Sequence, residues 1–129
     1  MPSFPDVPRR GFRDLTAYRR SVELADEVAG SVEKWGTFDR WTVGIQLVRA
    51  ADSVGANLAE AYGRWGKACR RRLLFIARGS LCELEHWLLI ASERRLPSPP
   101  TAIDRAHEVG RMLNGLAKSW SGPLLRTED

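Results

Sequence analysis

The chain of 129 residues predicts an all-α fold, an antiparallel up-down-up-down four-helix bundle. Three observations predict it. Apolar residues recur every three or four positions through four separate stretches, the period of one helix face. Short clusters of Gly, Pro, Asp and Thr divide those stretches, and short connections favour antiparallel neighbours. No stretch shows the alternation or β-branched clustering of a strand.

The elements follow in order. Residues 1–13 read as a flexible N-terminal arm, punctuated by Pro2, Pro5, Pro8 and Gly11. The bundle is expected over 14–122, and a short polar tail over 123–129. Asp14 is placed to cap the first helix. Leu15, Tyr18, Val22, Ala25, Ala29 and Val32 trace its apolar face to about Trp35, and Gly36-Thr37-Phe38-Asp39 breaks it. The second helix is expected over 40–62, with Val43, Leu47, Ala50, Val54, Leu58 and Ala61 inward. Gly63 to Gly66 form the next turn. The third helix, over 67–95, buries Leu73, Ile76, Ala77, Ser80, Leu81, Leu84, Trp87, Leu88 and Ala91. The prolines at 97, 99 and 100 end it, because proline cannot donate the helix hydrogen bond. From Ser98 or Thr101, the fourth helix carries Ile103, Ala106, Val109, Leu113, Leu116 and Trp120 inward, and Gly122-Pro123 stops it.

Composition bounds the function. One domain of this length can bury roughly two thirds of its unfolded surface, enough for its own core. A net charge of +4 and a pI near 9.6 favour acidic partners, and all but Lys34, Lys67 and Lys118 of the cations are arginine. Arginine suits planar, two-point contact with phosphate or carboxylate. Cys69 and Cys82 lie about 20 Å apart along one helix, too far to bridge within the chain. Cys82 reads as a small packed side chain and Cys69 as a turn-adjacent thiol. The start of the chain lacks a basic region followed by an apolar run, and no apolar stretch reaches the length of a membrane span. No membrane partner is expected, and the expected location is the cytoplasm.

Two constellations stand out. On the second helix, Gln46, Arg49, Ser53, Asn57, Glu60 and Arg64 repeat at steps of three or four and fall in a narrow wedge beside the apolar face. Arg78, Ser80, Glu83 and Glu85 of the third helix are possible partners. A solvent-exposed helix edge accounts for the wedge. So does a structural polar network of Gln46, Arg49, Ser53, Asn57, Glu60 and Glu83, in which each buried group must find a partner. The second constellation is basic: Arg64, Lys67, Arg70, Arg71 and Arg72, with Trp65 among them and no acid. Cations at a helix N-terminus oppose the macrodipole, and a basic patch with one aromatic is what a phosphate-backbone site requires. The N-terminal arm adds Arg9, Arg10 and Arg13, with Arg19 and Arg20 following. An ordinary solvated face is the plainer account of both groups. No metal-ligand cluster, cofactor motif or catalytic grouping is visible, since His86 and His107 stand apart and Glu60 has no nucleophile or second carboxylate beside it. Metal, cofactor and enzymatic activity are therefore not expected. The five tryptophans lie mostly at helix ends, where core closure and subunit contact explain them.

The order of residues from Gln46 to Arg64 (QLVRAADSVGANLAEAYGR), with Phe75 to Glu85 (FIARGSLCELE) and the opening Phe12 to Tyr18 (FRDLTAY), resembles the family of 23S rRNA intervening-sequence proteins. The resemblance covers nearly the whole chain. Ala61 stands where that family often has glycine, and Val48 where it often has a second arginine. The resemblance implies a four-helix bundle that assembles as a homo-oligomer, commonly a pentamer with a central channel. It also implies kinship with the accessory variability protein of diversity-generating retroelements, which binds its reverse transcriptase and nucleic acid through a basic surface.

The function expected from these readings is a non-enzymatic oligomeric adaptor that binds RNA or DNA backbones, without sequence readout, through Arg64, Lys67, Arg70, Arg71 and Arg72. A reverse transcriptase is a candidate partner by resemblance. The alternative is a protein–protein interaction module whose basic patch recognises an acidic partner.

Overall fold

The structure is a computed structural model, and it describes residues 11–120. Its four main helices are α1 (Thr16–Val32), α2 (Ile45–Tyr62), α3 (Lys67–Glu93) and α4 (Ala102–Trp120). Each packs on its neighbour in the chain, α2 on α3 most extensively, and α4 returns to α1 to close the ring. This is the expected four-helix bundle, and no strand occurs among the described residues. The arm before residue 11 and the tail after residue 120, with Arg9 and Arg10, lie outside the described residues.

The core is built from Leu24, Val28, Leu47, Val54, Leu58, Leu74, Leu84, Val109 and Leu113, all essentially solvent-free. Every apolar position predicted on α2 is buried. On α1 Ala25 and Val32 are buried as predicted, and the rest of the inward face is turned from the predicted one. Ala17, Ser21, Leu24 and Val28 fill the core, while Tyr18, Val22 and Ala29 are half-buried. Ser21 hides there without cost because its hydroxyl donates to the Tyr18 carbonyl at 2.8 Å. On α3, Leu74 takes the inward place expected of Ile76, which is exposed, and Cys82 is exposed where packing was expected.

The helix ends depart from expectation for local reasons. Asp14 does not cap α1. It is drawn into a 3-10 turn, Gly11–Asp14, leaving Leu15 at the N-cap with no side-chain bond. Helical backbone also restarts before residue 40, after a turn through Glu33–Trp35 and the extended Gly36. One turn of α-helix (Thr37–Asp39) runs into a π turn (Arg40–Gly44) before α2 begins. Gly44 allows that turn to press on α1: a Cβ there would lie 2.7 Å from Val32 Cγ1 and 3.2 Å from the Asp39 carbonyl. The helix α3 ends before Arg95, which takes φ 59° while the Leu96 N–H bonds the Ala91 carbonyl at 2.8 Å. That left-handed closing turn satisfies a carbonyl left free by the helix end.

At this end of the bundle the buried Trp35 donates its indole N–H to the Pro97 carbonyl at 2.8 Å, joining the α1–α2 and α3–α4 connections. Phe38 and Trp41 project beside it, 74% and 64% exposed. The opposite end holds the α2–α3 turn, and with it the basic cluster.

Candidate nucleic-acid interface

The basic turn begins where α2 closes at Tyr62 and α3 opens at Lys67, with Gly66 as an N-cap that offers no side-chain bond. No acid occupies the first turn of α3, so the positive helix end is left uncompensated within it. Arg64, Lys67, Arg71 and Arg72 are exposed, and Trp65 stands among them at 85% exposure. Arg64 bonds Glu60 Oε2 at 2.7 Å, and that hydrogen bond raises the guanidinium pKa further above its ordinary value. Arg64 is thus a cation at every accessible pH.

Arg70 does not stand with them. It is 6% exposed, and its Nε donates to the Arg64 carbonyl at 2.6 Å. Its guanidinium lies over the Trp120 ring, which meets Tyr62 edge-on at 6.3 Å. Three consecutive arginines on a helix are about 100° apart, so they cannot all face solvent. Arg70 falls in phase with Leu74, Ala77 and Leu81 and turns inward with them. The sequence carried that signal in the phase of the position.

The polar wedge divides in the same way. Asn57 Nδ2 donates to the Ser53 carbonyl at 2.8 Å and to Ser53 Oγ at 3.0 Å. Ser53 Oγ lies 2.8 Å from Ser80 Oγ across the α2–α3 seam, and Ser80 Oγ donates to the Ile76 carbonyl at 3.1 Å. Each hydroxyl has one proton, so the bonds form one consistent relay from Asn57 through Ser53 and Ser80 to Ile76. The rest of the wedge is not joined to it. Glu60 is exposed and pairs with Arg64, just past the end of its own helix. Gln46 is half-buried, and Arg49 and Glu83 are exposed; among the described residues none of these three forms a hydrogen bond or ion pair. A network of six side chains is therefore a relay of Ser53 and Asn57 with Ser80.

Two grooves flank these features. Between α1 and α2, Tyr18, Val22, Gly55 and Ala56 line a groove of about 330 Å³ with Asp26 and Asp52 on it. Burial raises the Asp52 pKa above the usual carboxylate value, and the neighbouring Asp26 charge adds to the rise. Between α3 and α4, a groove of about 280 Å³ brings Arg78 and Arg111 together with Asn114. Arg111 lies on a helix far along the chain, and only the topology sets it against Arg78. His107 Nε2 and Glu85 Oε1 meet at 2.9 Å at the same groove.

Among the described residues no group of three or more His, Cys, Asp or Glu is placed to hold a metal ion. No described helix is long and apolar enough to cross a membrane. Residues 13–115 match the family model described as 23S rRNA-intervening sequence protein. No curated protein matches the chain.

Proposed function

We propose that this chain, which belongs to the 23S rRNA-intervening sequence protein family, works as a non-enzymatic, self-assembling adaptor that binds the phosphate backbone of RNA or DNA. The observation that carries this reading is the basic turn: Arg64, Lys67, Arg71 and Arg72 exposed around Trp65, at the positive end of α3. Arginine offers planar two-point bonds to phosphate, and an exposed indole offers a stacking surface to any base. Neither contact reads sequence, so binding is broad in specificity and governed by counterion release. The exposed Phe38 and Trp41, three residues apart at the opposite end of the bundle, support self-assembly, since neighbouring exposed aromatics suit burial against a second subunit. A pentamer and a reverse-transcriptase partner are what the family resemblance adds.

The test is titration of labelled single-stranded RNA and DNA with the purified protein over a salt series. Retention at low salt that falls steeply as salt rises is expected. The charge reversals Arg71→Glu and Arg72→Glu together should weaken it at least tenfold. A correctly assembled protein that retains neither nucleic acid at low salt ends this reading. If the same reversals instead abolish capture of an acidic protein, the basic turn serves protein recognition.

A further inference from the structure

The face between α3 and α4 carries cations that nothing in the described chain neutralises. Arg78 and Arg111 line one groove from opposite sides, both are exposed, and neither forms an ion pair among the described residues. The apolar wall between them is Leu81, Ala106 and Gly110. Arg71 precedes Arg78 by two helical turns, about 10.5 Å along the axis. Lys118 follows Arg111 by the same interval on the antiparallel α4, and it too is exposed. Cations therefore flank the groove on both rims back to the basic turn. In the other direction the sign changes: Glu85 bonds His107 at 2.9 Å, and Asp104 stands beyond it at the start of α4.

We infer that a single nucleic-acid strand leaves the basic turn along the α3–α4 groove, its phosphates held between Arg78 and Arg111 and its sugars and bases against Leu81, Ala106 and Gly110, and that the Glu85–His107 pair ends the track. The inference rests on the nucleic-acid reading above and names the path and the form of the ligand. Width selects the single strand. Packed helices sit about 8–10 Å apart, so the hollow between two of them is about one chain wide, and a duplex could rest only on the helix crests. Charge favours phosphate, because a strand carries one at every residue and so brings one to each pair of cations, about 10.5 Å apart along the rims, whatever its sequence. An acidic peptide would need its carboxylates at the same repeat.

The experiment measures anisotropy of a labelled oligo(dT), and of a duplex of equal length, against the full chain. The double variant Arg78→Gln with Arg111→Gln removes two charges from exposed positions, and an unchanged circular dichroism spectrum checks its fold. Two phosphate contacts contribute about 1.4 to the single-strand salt slope, so between about 50 and 200 mM salt the variant should lose about sevenfold less affinity than the unaltered protein. At low salt its oligo(dT) affinity should fall about tenfold with duplex affinity little changed, and Arg78→Lys with Arg111→Lys should restore most of it. Wild-type oligo(dT) affinity and slope in the glutamine variant, with both lost in the Arg71→Glu, Arg72→Glu protein, overturn the groove track and leave the basic-turn reading standing. Failure of the unaltered protein to bind either oligonucleotide overturns both. Polyglutamate held by the unaltered protein and not by the glutamine variant, without oligo(dT) binding, assigns the groove to an acidic protein and also overturns the inference.

Discussion

The guanidinium carbon of Arg70 lies 5.4 Å from the ring centroid of Trp120, placing a charged side chain from the first turn of α3 against the last residue of α4. The same arginine donates from Nε to the Arg64 carbonyl. One side chain therefore fixes the shape of the basic turn and ties it to the end of the chain's final helix. The exposed cations thus surround a cation that is itself buried.

Arg70→Ala should consequently act on stability. It removes a charge-assisted hydrogen bond and a stacked cation, which together contribute about 2–3 kcal/mol. Urea unfolding should show the loss. Nucleic-acid binding by the remaining folded protein should keep its salt slope, and a slope reduced as much as in an Arg71 variant would place Arg70 at the phosphate contacts after all.

Ser53 and Ser80 should prove energetically coupled. Each alanine substitution alone should cost about 1 kcal/mol, since it leaves part of the relay without a partner. The double substitution should cost less than the sum by about 0.5–1 kcal/mol in a double-mutant cycle. Strict additivity would show that the two hydroxyls do not depend on one another.

Gly44→Ala tests the close approach of the π turn. The new methyl would meet Val32 Cγ1 at 2.7 Å, and a β-branched side chain held in the core has little room to yield. The expected loss is about 1–3 kcal/mol, read as a lowered midpoint of thermal or urea unfolding. Gly30→Ala, where a Cβ meets nothing within 4 Å, is the control and should be neutral or mildly stabilising.

Asp52 should make the bundle slightly less stable at neutral pH than in mild acid. Its folded pKa lies above the unfolded value, so the folded state takes up a proton first as pH falls. The penalty on the charged form is present above the folded pKa and disappears below the unfolded one. Asp52→Asn should therefore stabilise at pH 7 by at most about 0.5 kcal/mol, because solvent screens this half-open site. The gain should vanish in acid, and a gain that persisted unchanged to low pH would assign it to packing.

The four helices were legible because their burial follows one period and their breaks carry Gly or Pro. On α2 the spacing names Leu47, Ala50, Val54, Leu58 and Ala61, all buried, and misses Ala51 and Gly55, whose small size lets α1 cover them as well. On α1 the apolar residues outnumber the places in the core, so the period was clear and its phase was not. Arg70 shows a related difficulty. A run of like charge reads as one surface patch, yet the helix distributes its members around the axis. Ser80 is among the partners that the third helix offers the wedge, and the seam joins it to Ser53, while Glu85 pairs with His107 on α4. The pairing of Arg78 with Arg111 depends on which helices become neighbours and in what order, and no local pattern carries that.

The tie between Trp35 and Pro97 has a consequence for the molecule as a whole. By fixing two connections together, it firms the end at which Phe38 and Trp41 face outward, while the cations crowd the other end. The two ends of the bundle are thus unlike, with exposed aromatics among charges of both signs (Glu33, Lys34, Glu93, Arg94) at one pole and the basic turn at the other. Whatever anionic surface takes the basic pole receives the protein in a single orientation, and leaves the aromatic pole turned toward the next arrival.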